Sequence, residues 1–265
     1  MKKVSFTLIV FSFFFLCDCK KKSDTAEKTR TVAPPTETPT LKRVLIVIDG
    51  SNSLNAVACD NILQKVMSIF DALGEMHDLR IFSTIEGTKT PPIFQWKKSF
   101  PTRPSEEKKY LTETLPAKKI ELEKVIEMAC KSSNNGSYIL HAIQSAYSNL
   151  QGLDPADQTL LIVLSDMLEC SPKYYGCSEG KNGFVGMMPT LEKSTLAEEC
   201  PLINLISLDN TAFCVISMND QNRYVALSSS PTCKKFWDAA FKKMGYKNGP
   251  AHATDIGGFL SRIRS

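Results

Sequence analysis

Val44-Leu45-Ile46-Val47-Ile48-Asp49-Gly50-Ser51-Asn52-Ser53 is the stretch on which the reading of this chain turns. Five consecutive aliphatic residues run directly into an acid, and two hydroxyls follow it at alternate positions. An unbroken apolar run of this length suits a strand buried on both faces, in the middle of a parallel sheet covered by helices. Asp49 then stands at the carboxyl end of that strand. In open α/β sheets, ligands bind in the crevice outside the carboxyl ends of the strands. A carboxylate and two hydroxyls on one turn offer three hard oxygen donors, the donor type that a small divalent cation prefers.

Two later segments extend the pattern. Asn135-Gly136-Ser137 opens an amphipathic stretch, and Leu160-Leu161-Ile162-Val163-Leu164-Ser165-Asp166 reads as a second apolar strand closed by an acid. Asp-x-Ser-x-Ser after a strand, a hydroxyl in a Gly-containing loop that opens a helix, and an Asp ending a later strand occur here in that order. Together they resemble the metal-ion-dependent adhesion site of the von Willebrand factor A family, over roughly Leu41 to Tyr246. The resemblance implies an α/β fold with a doubly wound, mostly parallel central sheet flanked by helices. It implies metal ligands at Asp49, Ser51, Ser53, Ser137 and Asp166. Ser137 stands where the family most often has Thr; Ser132 or Ser133 could supply the loop hydroxyl instead. Ser137 is preferred because it follows Gly and because Ala142 lies five residues on. Met167 occupies a position where the family usually has Gly.

What the resemblance implies chemically is binding rather than turnover. Hydroxyls would contact the cation, the acids would hold it partly through water, and a carboxylate from a protein partner would complete the octahedron. Mg²⁺, or Mn²⁺, suits such a site because Mg²⁺ demands near-octahedral oxygen geometry. For Asp49 taken alone, helix capping, with Ser51 and Ser53 bonding backbone amides, is the favoured reading; Asp166 and Gly136-Ser137 tip it toward a metal site. A metal-dependent hydrolase with Asp49 as nucleophile is a rival, but position 51 is Ser where haloacid-dehalogenase-like enzymes have a second Asp, and no His or Lys accompanies the motif. A metal-free scaffold is a third reading. The expectation is therefore a binding protein and not an enzyme.

The chain begins Met1-Lys2-Lys3 and continues with Val4 to Leu16, almost wholly apolar. This run falls short of the roughly 20 residues of a membrane-spanning helix and has the charged start and apolar centre of a secretory signal. It ends in Leu16-Cys17-Asp18-Cys19, which resembles a bacterial lipoprotein cleavage site with Cys19, or alternatively Cys17, as the lipidated residue. Residues 1–19 are thus read as a signal peptide. Residues 20–40, rich in Lys, Ser, Thr, Glu and Pro, are read as a disordered tether, and residues 41–265 as one domain of the von Willebrand factor A type. The implied location is the bacterial cell envelope, lipid-anchored to a membrane.

Removing Lys2, Lys3 and Asp18 from the formal charge of +4 leaves +3, nearly balanced, and no nucleic-acid partner is expected. Of nine cysteines, Cys170 and Cys177 bracket a short loop and form the preferred disulfide. Cys59 and Cys130 lie on apolar helix faces and read as small core residues. No Cys-x-x-Cys pair supports a zinc site. Periodicity predicts helices over Leu54–Leu73, Ser105–Leu115, Lys118–Lys131, Ile139–Leu150 and Thr232–Met244. Strands are expected at Asp78–Ile85, at Pro91–Trp96 on an edge, and at Phe213–Met218. Ser171 to Met188, with four glycines, reads as a long loop beside the metal motif.

Overall fold

The structure is a computed structural model, and it describes residues 41–50, 56–84, 89–131, 137–154, 156–167, 169, 203–208, 211–217, 231–246, 252–253 and 256–264. The signal, lipidation and tether residues, Ser51 and Ser53, the loop from Ser171 to Met188 and the Cys170–Cys177 pair all lie outside these. Six strands form one sheet in the order β3-β2-β1-β4-β5-β6. They are β1 (Lys42–Ile48), β2 (Asp78–Ser83), β3 (Phe94–Lys97), β4 (Gln158–Ser165), β5 (Thr211–Ser217) and β6 (His252–Ala253). Every pairing is parallel except β2 with β3.

The apolar run of β1 explains its central place. All seven of its residues are buried, and successive side chains point to opposite faces. Val44, Ile46 and Ile48 join one core, with Ile62, Val66, Ile69 and Phe70 of helix α1 (Ala56–Ala72) and Leu122 and Ile126 of α3 (Leu115–Lys131). Ile263 of α6 (Gly257–Arg264) belongs to that core too. Leu45 and Val47 join the other core, with Ile139, Ala142, Ile143 and Ala146 of α4 (Ile139–Ser148) and Trp237, Ala240 and Phe241 of α5 (Pro231–Lys243). Helices cover both faces, so the sheet is doubly wound, as the resemblance implied. Each fully buried Val, Leu or Ile contributes about 1.5–3 kcal/mol by removal from water. β1, like β4 and β5, feeds both cores and so ties the two helical layers to the sheet.

The amino end of the sheet holds a charged cluster. Asp78, at the start of β2, accepts from Arg43 Nε at 3.2 Å and pairs with Arg80 Nη2 at 3.1 Å, and all three side chains are buried. Arg43 also donates to Asp154 O and Arg80 to Asn149 O, so the guanidiniums are held by the chain that enters β4. Nearby, Lys98 donates to Leu73 O. Burial, opposed by nearby Asp71, holds the Lys98 ammonium below the usual lysine range.

One expectation needs correction. The two helices read as Ser105–Leu115 and Lys118–Lys131 are one continuous helical run, from α2 (Pro104–Lys109) through a π-helical turn at Tyr110–Thr114 into α3. Pro116 lies in the gap between the two expected helices; it lacks an N–H and crowds the carbonyl of Thr112 in an ordinary helix. The wider turn, in which Leu115 N–H donates to Tyr110 O, lets the helix pass through that point. Gly245 behaves as read: it follows α5 with φ +89°, a left-handed cap that glycine adopts at no steric cost.

Candidate functional site

Strand register assembles the site. Ile48 pairs with Ser83 on one side and with Leu164 on the other, so the next residue of each strand, Thr84, Asp49 and Ser165, meets at the carboxyl end of the sheet. Asp49 is wholly buried. Its Oδ1 accepts from Ser137 Oγ at 2.8 Å and Thr84 Oγ1 at 3.2 Å, and its Oδ2 accepts from Ser165 Oγ at 2.6 Å. Three neutral hydroxyl donors thus solvate one buried carboxylate, which an unpaired one could not survive without.

The backbone locks this arrangement. Asp49 N–H donates to Leu164 O, Thr84 N–H to Ile48 O and Tyr138 N–H to Thr84 O. Gly50 N–H donates to Thr84 Oγ1 at 3.2 Å. The three strand ends and the entrance of α4 therefore form one hydrogen-bonded unit. Of the five expected ligands, Asp49 and Ser137 are in direct contact, and Asp166 closes β4 one residue beyond Ser165, buried. Ser51 and Ser53 are outside the described residues. The described carboxylates and hydroxyls at this strand end, Asp49, Asp166, Ser137, Thr84 and Ser165, are hard oxygens, a donor type suited to hard cations and not to a soft metal. Among the described residues, no group of three or more His, Cys, Asp and Glu could hold a metal by itself.

Met167, in the family's Gly position, has φ +64°. A methionine is strained in this left-handed region, and three contacts hold it there. Its N–H donates to Ser165 Oγ at 2.9 Å, its C=O accepts from Trp237 Nε1 at 2.8 Å, and its side chain is buried in the core of α4 and α5. Trp237→Phe removes the indole donor and part of a fully buried ring. A loss of about 2 kcal/mol is expected in urea denaturation, together with a changed near-ultraviolet circular dichroism signal.

Sequence reasoning missed three members of this region. Thr84 and Ser165 could have been found by aligning the carboxyl ends of β1, β2 and β4. Glu169 carried no sequence signal. It is completely buried, its Oε2 accepts from Leu140 N–H at 2.9 Å at the start of α4, and its Oε1 has no hydrogen-bond partner among the described residues. Tyr138, at the cap position, offers no side-chain cap, so Glu169 satisfies an amide that a helix start leaves open. Burial pushes its carboxyl up to about 8; the Leu140 and Ile139 amides oppose that rise, and the charge on Asp49 adds to it.

No protein-family model and no curated protein matches the chain. Among solved structures it is similar to a point mutant of the PilB minor pilin from Streptococcus sanguinis, with a TM-score of 0.44 and 10% identity over 87% of this chain and 61% of that one. The unmutated pilin gives 0.40 and 12% over the same shares. A von Willebrand factor type A protein from Catenulispora acidiphila gives 0.38 and 12%, over 78% of this chain and 43% of that one. The chain thus spans about three-fifths of the pilin's length and less than half of the other protein's.

Proposed function

We propose that this protein is an exported, lipid-anchored binding protein whose α/β domain engages a protein partner through a divalent cation, Mg²⁺ or Mn²⁺, and an acidic side chain of that partner. The observation that supports it best is the contact between Ser137 and Asp49. These residues are 88 apart in sequence and 2.8 Å apart in space, at the strand end where the motif resemblance implies a cation. Asp49, Ser137 and Asp166, with Ser51 and Ser53, would hold the ion. The ion would supply an electrophilic site for a carboxylate oxygen. With few charges around it, it would keep most of its attraction for that oxygen.

A second reading has an observation in its favour. Both oxygens of Asp49 are already satisfied by hydroxyls, so the cluster closes without a cation and can serve as the hub of a metal-free scaffold. Calorimetric titration of Mg²⁺ and Mn²⁺ into the purified full-length protein, repeated with acetate as a stand-in for the partner's carboxylate, separates the two. The expected result is saturable binding that acetate strengthens and that Asp49→Asn and Asp166→Ala each weaken at least ~10-fold with the circular dichroism spectrum unchanged. Absence of heat and of any metal-induced Tm shift, with acetate present, would leave the scaffold reading standing.

A further inference from the structure

Cys59 is the fourth residue of α1, and Cys130 is the last but one of α3. The two helices pack on the same face of the sheet and share one core. Although 71 residues separate them, the Cys59 thiol donates to Cys130 O at 3.9 Å, which brings the two cysteines into contact between α1 and α3. Both cysteines are half-buried, and they are not joined in a disulfide. They line a cleft of about 430 Å³ together with Asp60, Leu63, Ile126 and Glu127. The two cysteines, read as small core residues, are thus in contact with each other at the edge of a cleft, and Cys130 also packs against the core.

We propose that Cys59 and Cys130 are a dithiol site that closes to an inter-helical disulfide by exchange with a small disulfide donor of the glutathione type. Cys59, as thiolate, attacks one sulfur of the donor, forms a mixed disulfide and expels the first donor thiolate. Cys130 gives its proton to water, attacks the Cys59 sulfur and expels the second donor thiolate. The two protein thiols lose two electrons and two protons in all, and the donor disulfide is reduced to two thiols. Burial, and then the neighbouring Cys59 thiol, push the Cys130 thiol well above the usual cysteine range; the negative charges of Asp49 and Asp60 act in the same direction. Closure is consequently the slow step and is favoured by mildly alkaline buffer.

The placement gives the bond a further effect. α1 is the first helix after Asp49 in the chain, and α3 is the last element before Ser137. A bond between them ties the segments on either side of the Asp49 cluster, whether or not a cation binds there. A 71-residue loop is long enough for a large reduction in the entropy of the unfolded chain.

The test uses reduced, purified full-length protein equilibrated with oxidised and reduced glutathione at mildly alkaline pH, then thiol-blocked and digested without reductant for mass mapping. The expected product is a peptide pair linking Cys59 to Cys130, with Tm raised by roughly 10 °C over the reduced protein. Cys59→Ser and Cys130→Ser should each lose the link and carry glutathione on the remaining thiol. Glutathione adducts at both positions of the folded wild-type protein, free thiols at both, or bonds from them to other cysteines would overturn the proposal. The wild-type map decides the matter even if a variant fails to fold.

Discussion

Asp49→Ala is expected to remove about 4 kcal/mol of folding stability, enough to lower the urea midpoint sharply or to leave the protein unfolded. The change takes away the common acceptor of Ser137, Thr84 and Ser165. Each buried donor left without its acceptor costs about 1–3 kcal/mol, partly recovered as the hydroxyls turn toward backbone carbonyls. Asp49→Asn keeps an oxygen for Ser137 and Thr84 and presents an amide to Ser165, whose hydroxyl must then find another acceptor. It should lose about 1–2 kcal/mol. The separation between the two variants is the informative quantity. If Ala and Asn are equally stable, the hydroxyl cluster does not hold the three strand ends together.

Stability is expected to fall as pH rises from about 5 to about 9, by on the order of 4 kcal/mol from Glu169 alone. Its carboxyl is raised to about 8 in the folded protein, against about 4.3 in an unfolded chain. Between those values the folded state holds a proton that the unfolded state has released, so increasing pH favours unfolding. Below the unfolded value both states are protonated and the contribution is fully present; it is lost as pH climbs through the folded value. Glu169→Gln keeps an oxygen for the Leu140 amide and cannot titrate. Its urea midpoint should therefore change much less across this range than that of the wild type. A Gln variant with the same slope would assign the pH dependence to other groups. His77 cannot be one of them: burial, with Lys42 and Lys98 nearby, lowers its pKa. That gives the opposite sign, with stability lost as pH falls.

The elements that were readable in the sequence share a physical property: their burial is written in consecutive residues. β1 and β4 are apolar on both faces and end in acids, and α1, α4 and α5 repeat their apolar positions every turn. The pairing of Asp49 with Ser137 was legible for a different reason, since it followed from a resemblance to a family and not from periodicity. Thr84 and Ser165 were missed because their role shows only when the carboxyl ends of strands distant in sequence are set side by side. Glu169 was hidden because a buried acid looks like any surface acid until α4 is seen to begin against it. The Cys59–Cys130 contact depends on α1 lying beside α3, and no local pattern encodes that. The π-helical turn was missed because proline ordinarily ends a helix, and only a local change of hydrogen-bonding period carries the chain past it.

The described sheet places its longest strands in the middle and its shortest at the margins: β3 has four residues and β6 two. The outer margins offer little unpaired backbone, and on β3 the exposed positions are Gln95 and Lys97, with a charge at the end of the run. On the described sheet, a second copy of the chain meets no long, flat template on which to add a strand. Crowding many copies side by side should therefore not drive them into β-aggregates through these margins, and self-association would have to use side chains instead.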